Sequence, residues 1–139
     1  MMKLVPASLI IAALAGLAPP AFAQLEGPPR PGWTFLALSD DTLVYVKADP
    51  PSGAIRKVWT MYELPMPRER EGVTFRSVKS LGEFDCTQGL TRTVEEAYYA
   101  QAGVEGSPHD KPPIAPTPWV KPSEGSVGEM KLEFACKPK

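Results

Sequence analysis

The sequence predicts an α+β domain: an antiparallel sheet of about five to six strands, one C-terminal helix packed on one face, and a single disulfide tying the two. Three observations predict it. Short apolar or alternating runs recur from Trp33 to Tyr99, separated by clusters of Pro, Gly, Asp and Ser. A helix-start pattern, Ser126-Val-Gly-Glu129, precedes the last apolar run. The only two cysteines, Cys86 and Cys136, close the fourth run and this last one.

The elements follow in order. Trp33–Leu38 is a first strand, Ser39-Asp-Asp41 a turn, and Thr42–Lys47 a β-rich second strand. Asp49-Pro-Pro-Ser-Gly53 is a strong turn signal, because proline presets φ and glycine admits the left-handed region. Ile55–Glu63 is rich in β-branched and aromatic residues and reads as the third strand. Pro65–Gly72 is expected to be a long hairpin loop. The fourth strand spans Thr74–Cys86. Val78, Gly82, Phe84 and Cys86 share one of its faces; Ser77, Lys79, Glu83 and Asp85 share the other, broken by Leu81. That pattern fits a sheet covered on one side only. Gly82 either admits the helix closely or marks a bulge. Leu90–Tyr99 is a fifth strand, although Glu95–Tyr99 also suits a helix.

Residues 101–122 hold six prolines and no long regular element; Trp119 within them is expected to pin the segment to the body. Beyond it, Val127, Met130 and Phe134 would line one face of a helix, whereas Met130, Leu132, Phe134 and Cys136 alternate as a strand would. Residue preferences and the Ser126–Glu129 pattern lean towards the helix.

The N-terminus reads as a secretory signal peptide over residues 1–23. Lys3 supplies the positive start, Leu4–Leu17 the apolar core, and Ala21-Phe-Ala23 the small-residue pattern for cleavage between Ala23 and Gln24. The apolar run, about fourteen residues, is short of the roughly 20 that span a bilayer, so no membrane anchor is expected. No cysteine stands near the cleavage site, so a lipid anchor is not expected either. The exported form is then periplasmic or secreted, with no lipid group to hold it at the surface. Residues 24–32 are a polar, Pro-rich, flexible lead-in, and 33–137 form the domain.

Removing 23 residues from 139 leaves 116 and takes away one charge, so 14 basic residues face 16 acidic ones. That balance lacks the basic excess of a nucleic-acid binder. In an oxidising compartment, the cysteine pair forms a structural disulfide, Cys86–Cys136. A reactive thiol pair would show close C-x-x-C spacing, which is absent.

Catalytic chemistry has little to draw on. His109 is the only histidine; it lies beside Asp110 in the loop Ser107-Pro-His-Asp-Lys111 and does not imply a triad. One histidine and two oxidised cysteines fall short of a metal site, and no cofactor motif occurs. Glu95 and Glu96 would face opposite sides of a strand, Asp40-Asp41 suits a turn, and Pro67–Glu71, mixed in sign, suits a solvated hairpin tip better than an anion site. Arg76 falls on the apolar-leaning face, where it is expected to snorkel or to pair with a carboxylate.

The order of elements resembles the surface-adhesin protein E domain of Gram-negative bacteria. The resemblance runs through Trp33, Val44-Tyr-Val46, Val58-Trp59 and Phe75-Arg-Ser-Val-Lys-Ser-Leu-Gly-Glu-Phe-Asp-Cys86. It ends in Pro118-Trp119, Gly125-Ser-Val-Gly-Glu129 and Phe134-Ala-Cys136, covering about 33–137. It implies a helix over 127–136 packed on an antiparallel sheet. It also implies a non-catalytic module with a protein partner, a host matrix or serum protein, and it allows a homodimer. It assigns no ligand-contacting residue. The alternative expectation is a soluble periplasmic envelope accessory or inhibitor with a bacterial or foreign protein partner.

Overall fold

The computed structural model describes Gly16 and residues 27–138. Apart from Gly16, the expected signal peptide lies outside the described residues, as do its cleavage site at Ala23 and Gln24 and the start of the lead-in.

Five strands form one antiparallel sheet in the order of the chain: β1 (Thr34–Ser39), β2 (Thr42–Ala48), β3 (Ile55–Arg70), β4 (Val73–Asp85) and β5 (Leu90–Tyr99). A single 3₁₀ turn follows at Ala102–Val104, and one helix, α1 (Val127–Cys136), ends the domain. Each strand therefore pairs with its sequence neighbour, so the sheet is built from local hairpins.

The third and fourth strands run further than the sequence suggests. Pairing breaks after Glu63 and resumes at Arg68↔Phe75, Glu69↔Thr74 and Arg70↔Val73, so the expected loop 65–72 is mostly strand. Pro65 and Pro67 lie in the break. They cannot donate to a ladder, yet their fixed φ suits an extended backbone, so they interrupt the pairing without ending the strand. The chain turns in two residues, Glu71 (φ 51°) and Gly72 (φ 76°), the left-handed pair that matches the twist of a tight hairpin.

At its other end β4 stops at Asp85, one residue before the cysteine. The Asp85 carboxylate accepts hydrogen bonds from the amides of Thr87 (2.9 Å) and Gln88 (3.0 Å), which turns the chain out of the sheet.

The helix crosses one face of the sheet. Val46, Val58 and Phe84, all fully buried, meet Ala135 there, with Leu132, Phe134 and Leu36 around them. The Ser126 hydroxyl caps the helix by accepting from the Glu129 amide at 3.2 Å. Glu129 reaches back to the amide of Gly125, one residue earlier than in the usual reciprocal arrangement. Ser126 instead gives its own amide to the Ser123 carbonyl. The Cys86–Cys136 disulfide ties the end of α1 to the chain just beyond β4, with Cα atoms 5.5 Å apart.

Gly82 sits where the β4–β5 register shifts, with Val94 as the extra residue on β5. The close approach at this glycine is not from the helix. A Cβ there would lie 2.9 Å from the ring of Phe84, which folds back over Gly82 on the same face.

The Pro-rich segment runs along the outer edge of β5 as a broken sixth strand. His109 donates its amide to Tyr98, Thr117 to Thr93, and Val120 exchanges both bonds with Thr91. The donors are non-proline positions, and they cover an edge that would otherwise present unpaired groups.

Candidate functional site

The sheet face turned away from α1 is covered over only part of its area. At its upper end Tyr45, Met61, Ser77 and Tyr99 are buried. Residues 27–32 lie over the Tyr45 side: the Tyr45 hydroxyl donates to the Pro28 carbonyl at 2.7 Å, and Arg30 forks onto the buried carboxylate of Glu63. The 3₁₀ turn lies over Ser77, whose hydroxyl donates to the Gln101 carbonyl and accepts from the Val104 amide at 2.9 Å. Alternation along β4 places Ser77 on a polar face and suggests exposure. Its coverage comes from residues far along the chain, which no local pattern announces.

The lower end of the same face is open, and Trp59 is at its centre. β2 places Lys47 directly beside Trp59, and β4 places Leu81 on its other side. Lys57, two residues earlier on β3, shares this face. Lys79 of β4 holds its Nζ 4.4 Å above the centre of the indole ring. Lys47 and Lys57 are exposed, Trp59 is half-buried, and none of the three lysines enters the four ion pairs among the described residues. Next to this group Arg92 pairs with Glu83 at 2.9 Å and lies 4.6 Å over the ring of Trp119. Trp119 thus pins the Pro-rich segment through a stacked guanidinium. A shallow cavity of about 270 Å³ opens beside Trp59 and Lys79, walled by Tyr99, Pro113 and Ile114. Chemically this surface joins an aromatic plane, the kind of side chain that anchors interfaces, to ammonium groups that steer an oppositely charged partner.

The other residues singled out by sequence take structural places. His109 sets its Nε2 2.8 Å from the Thr74 carbonyl, a backbone contact that leaves no triad with Ser107 and Asp110. Glu95 pairs across from Leu81 and Glu96 from Ser80, so they face opposite sides. Asp41 accepts from Arg68 at 2.9 Å, linking the first turn to the hairpin tip, where Lys111 also reaches Glu71. Among the described residues Arg76 pairs with no carboxylate. It donates to the carbonyls of Leu64 (3.2 Å) and Pro65 (3.3 Å), which the break in the β3–β4 ladder leaves free. Among the described residues no three His, Cys, Asp or Glu side chains are grouped as a metal site.

Burial and pairing also shift three titrating groups, Arg30 and Tyr45 at the covered end and Tyr98 in the apolar cluster with Leu64 and Phe75. The hydrogen bond to Glu63 raises the pKa of Arg30, and burial raises those of Tyr45 and Tyr98. Both tyrosines therefore stay neutral beyond their usual range.

The surface-adhesin protein E family model matches residues 33–137. The chain belongs to the surface-adhesin protein E family. Two crystal structures of protein E from Haemophilus influenzae share its fold. One, from a non-typeable strain, is 16% identical with a TM-score of 0.58, covering 86% of this chain and 78% of that one. The other, a second crystal form, is 12% identical with a TM-score of 0.60, covering 80% and 94%. No curated protein matches the chain. The fold, the disulfide and the family together make this an adhesin-like binding module. Among the described residues no helix is long and apolar enough to cross a membrane.

Proposed function

We propose that the protein is an exported, non-catalytic module that binds a host matrix or serum protein through the open sheet face around Trp59. Family membership carries this reading. The Lys79–Trp59 stack and the exposed Lys47 and Lys57 support the choice of face, because tryptophan is among the side chains that dominate interface energetics and exposed lysines steer an oppositely charged partner. The only histidine and both cysteines already serve the fold. Export through residues 1–23 belongs to the same proposal, as does a domain of 33–137. Mass spectrometry of the exported protein should give a chain beginning at Gln24.

The test is capture on a panel of immobilised matrix and serum proteins, with the chain carrying Trp59→Ala and Lys79→Glu as the comparison. Capture of the parent, with at least a tenfold loss in the variant at unchanged circular dichroism, is the expected result. Equal capture of both would remove the face from the proposal. Protease treatment of intact cells should degrade the protein. If it survives and leaves with the periplasmic fraction bound to an envelope protein, the alternative of an envelope accessory or inhibitor replaces the adhesive reading.

A further inference from the structure

A second concavity lies on the opposite side of the sheet, between the C-terminal end of α1 and the β2–β3 edge. Its volume is about 430 Å³, within the ~300–1,000 Å³ common for small-molecule sites. The floor is carbon: Val58 is fully buried and Ala135 nearly so, with Ala48 and the Phe134 ring beside them. Around the rim stand Arg56 and Lys137 against a single carboxylate, Asp49. Among the described residues the buried Nε of Arg56 has no hydrogen-bond partner, and Arg56 enters none of the four ion pairs. A guanidinium donor taken out of water ordinarily has an acceptor in place.

We infer that this concavity is a binding site for an amphipathic monocarboxylate. Its apolar chain would lie on Val58 and Phe134 and its carboxylate on Arg56. The planar guanidinium fork matches a carboxylate, and the two cations over one acid set the preferred sign. The carbon floor disfavours small hydrated anions, which bring no apolar surface to bury. The end of α1 carries the negative pole of the helix dipole, so the ligand's charge belongs at Arg56 and its tail at the helix. The site is separated from Trp59 by the thickness of the sheet and does not depend on the adhesive reading.

The same chemistry has two sources, a free fatty acid and the C-terminal carboxylate of an apolar peptide. The experiment titrates the exported protein with dodecanoate below its micelle concentration, following amide shifts and heat. Dodecanol, acetate, and a short peptide ending in phenylalanine as acid and as amide are titrated alongside. The expected result is saturable binding of a carboxylate ligand, with shifts centred on Val58 and 134–137. Dodecanol or the amide peptide should bind at least tenfold more weakly than its acid counterpart. Whichever acid binds more tightly identifies the source. Arg56→Gln should weaken binding at least tenfold, and Arg56→Lys, which keeps the charge and loses the fork, by less. Absence of saturable binding, or dodecanol equal to dodecanoate, overturns the inference even if Arg56→Gln fails to fold. So does an Arg56→Gln variant that loses thermal stability but binds the carboxylate as the parent does, because Arg56 would then serve only the end of the helix.

Discussion

The two faces of the sheet are held in different ways. On the helix side, Val46, Val58, Phe84 and Ala135 exclude water by apolar contact, and a covalent bond fixes the helix end. On the far side, most burial lies at the end under residues 27–32 and the 3₁₀ turn, Leu81 beside Trp59 being the exception, and that end relies on polar ties: Arg30 to Glu63, Tyr45 to Pro28, Ser77 to Gln101. The rest of that face is left to Trp59 and its lysines. A small domain concentrates its stability on one side of a sheet, and the other side is then free to carry side chains chosen for contact with something else.

Substitutions on the helix side should accordingly cost stability and leave binding by the Trp59 face intact. The largest effect is expected from Cys86→Ser with Cys136→Ser. The bond closes a separation of 50 residues, so the chain-entropy model assigns it ~4 kcal/mol. Urea denaturation should show the midpoint falling far below the parent's. A midpoint shift under a quarter of that size would mean that α1 holds its place by packing alone.

Gly82→Ala should follow. The added methyl would lie 2.9 Å from a ring that is fully buried and cannot swing away, so overpacking is expected to cost about 1–3 kcal/mol. Thermal melts would read it, and a paired Phe84→Leu substitution should recover part of the loss.

A smaller effect is expected at high pH, and it sharpens the contrast between packed and polar burial. Tyr98 ionises later in the fold than in the unfolded chain, chiefly because it is desolvated. Its contribution is therefore fully present below the unfolded value near ~10 and is lost as pH rises through the folded value. Tyr98→Phe should flatten the decline of stability above about pH 10, with Tyr45 left to account for what persists. An unchanged decline would move the cause elsewhere.

Much of this architecture was legible because each strand pairs with its neighbour in sequence, so turn residues and alternation carry nearly all the topology. The disulfide followed from a lone cysteine pair; Ser126 and Glu129 only leaned towards the helix against a strand-like alternation, and the family resemblance implied it. Alternation failed at two places where distant residues intervene. Ser77 is polar yet covered by Gln101–Val104, and Arg76 finds carbonyls freed by a ladder break at Pro65 and Pro67. The Trp59 surface was half legible. Val58-Trp59 marked the family, but the grouping of Lys47, Lys57 and Lys79 around the indole depends on cross-strand register, which single-strand patterns do not supply.

On the proposed function the open face, and not the packed one, meets the partner. The most direct test is a paired measurement on Trp59→Ala: capture by immobilised matrix and serum proteins alongside the thermal midpoint. Capture should fall at least tenfold, with stability moved by no more than about 1 kcal/mol, because Trp59 is only half-buried and outside both apolar clusters. Capture unchanged at unchanged stability would contradict the proposal and leave the adhesive surface to be sought elsewhere on the molecule.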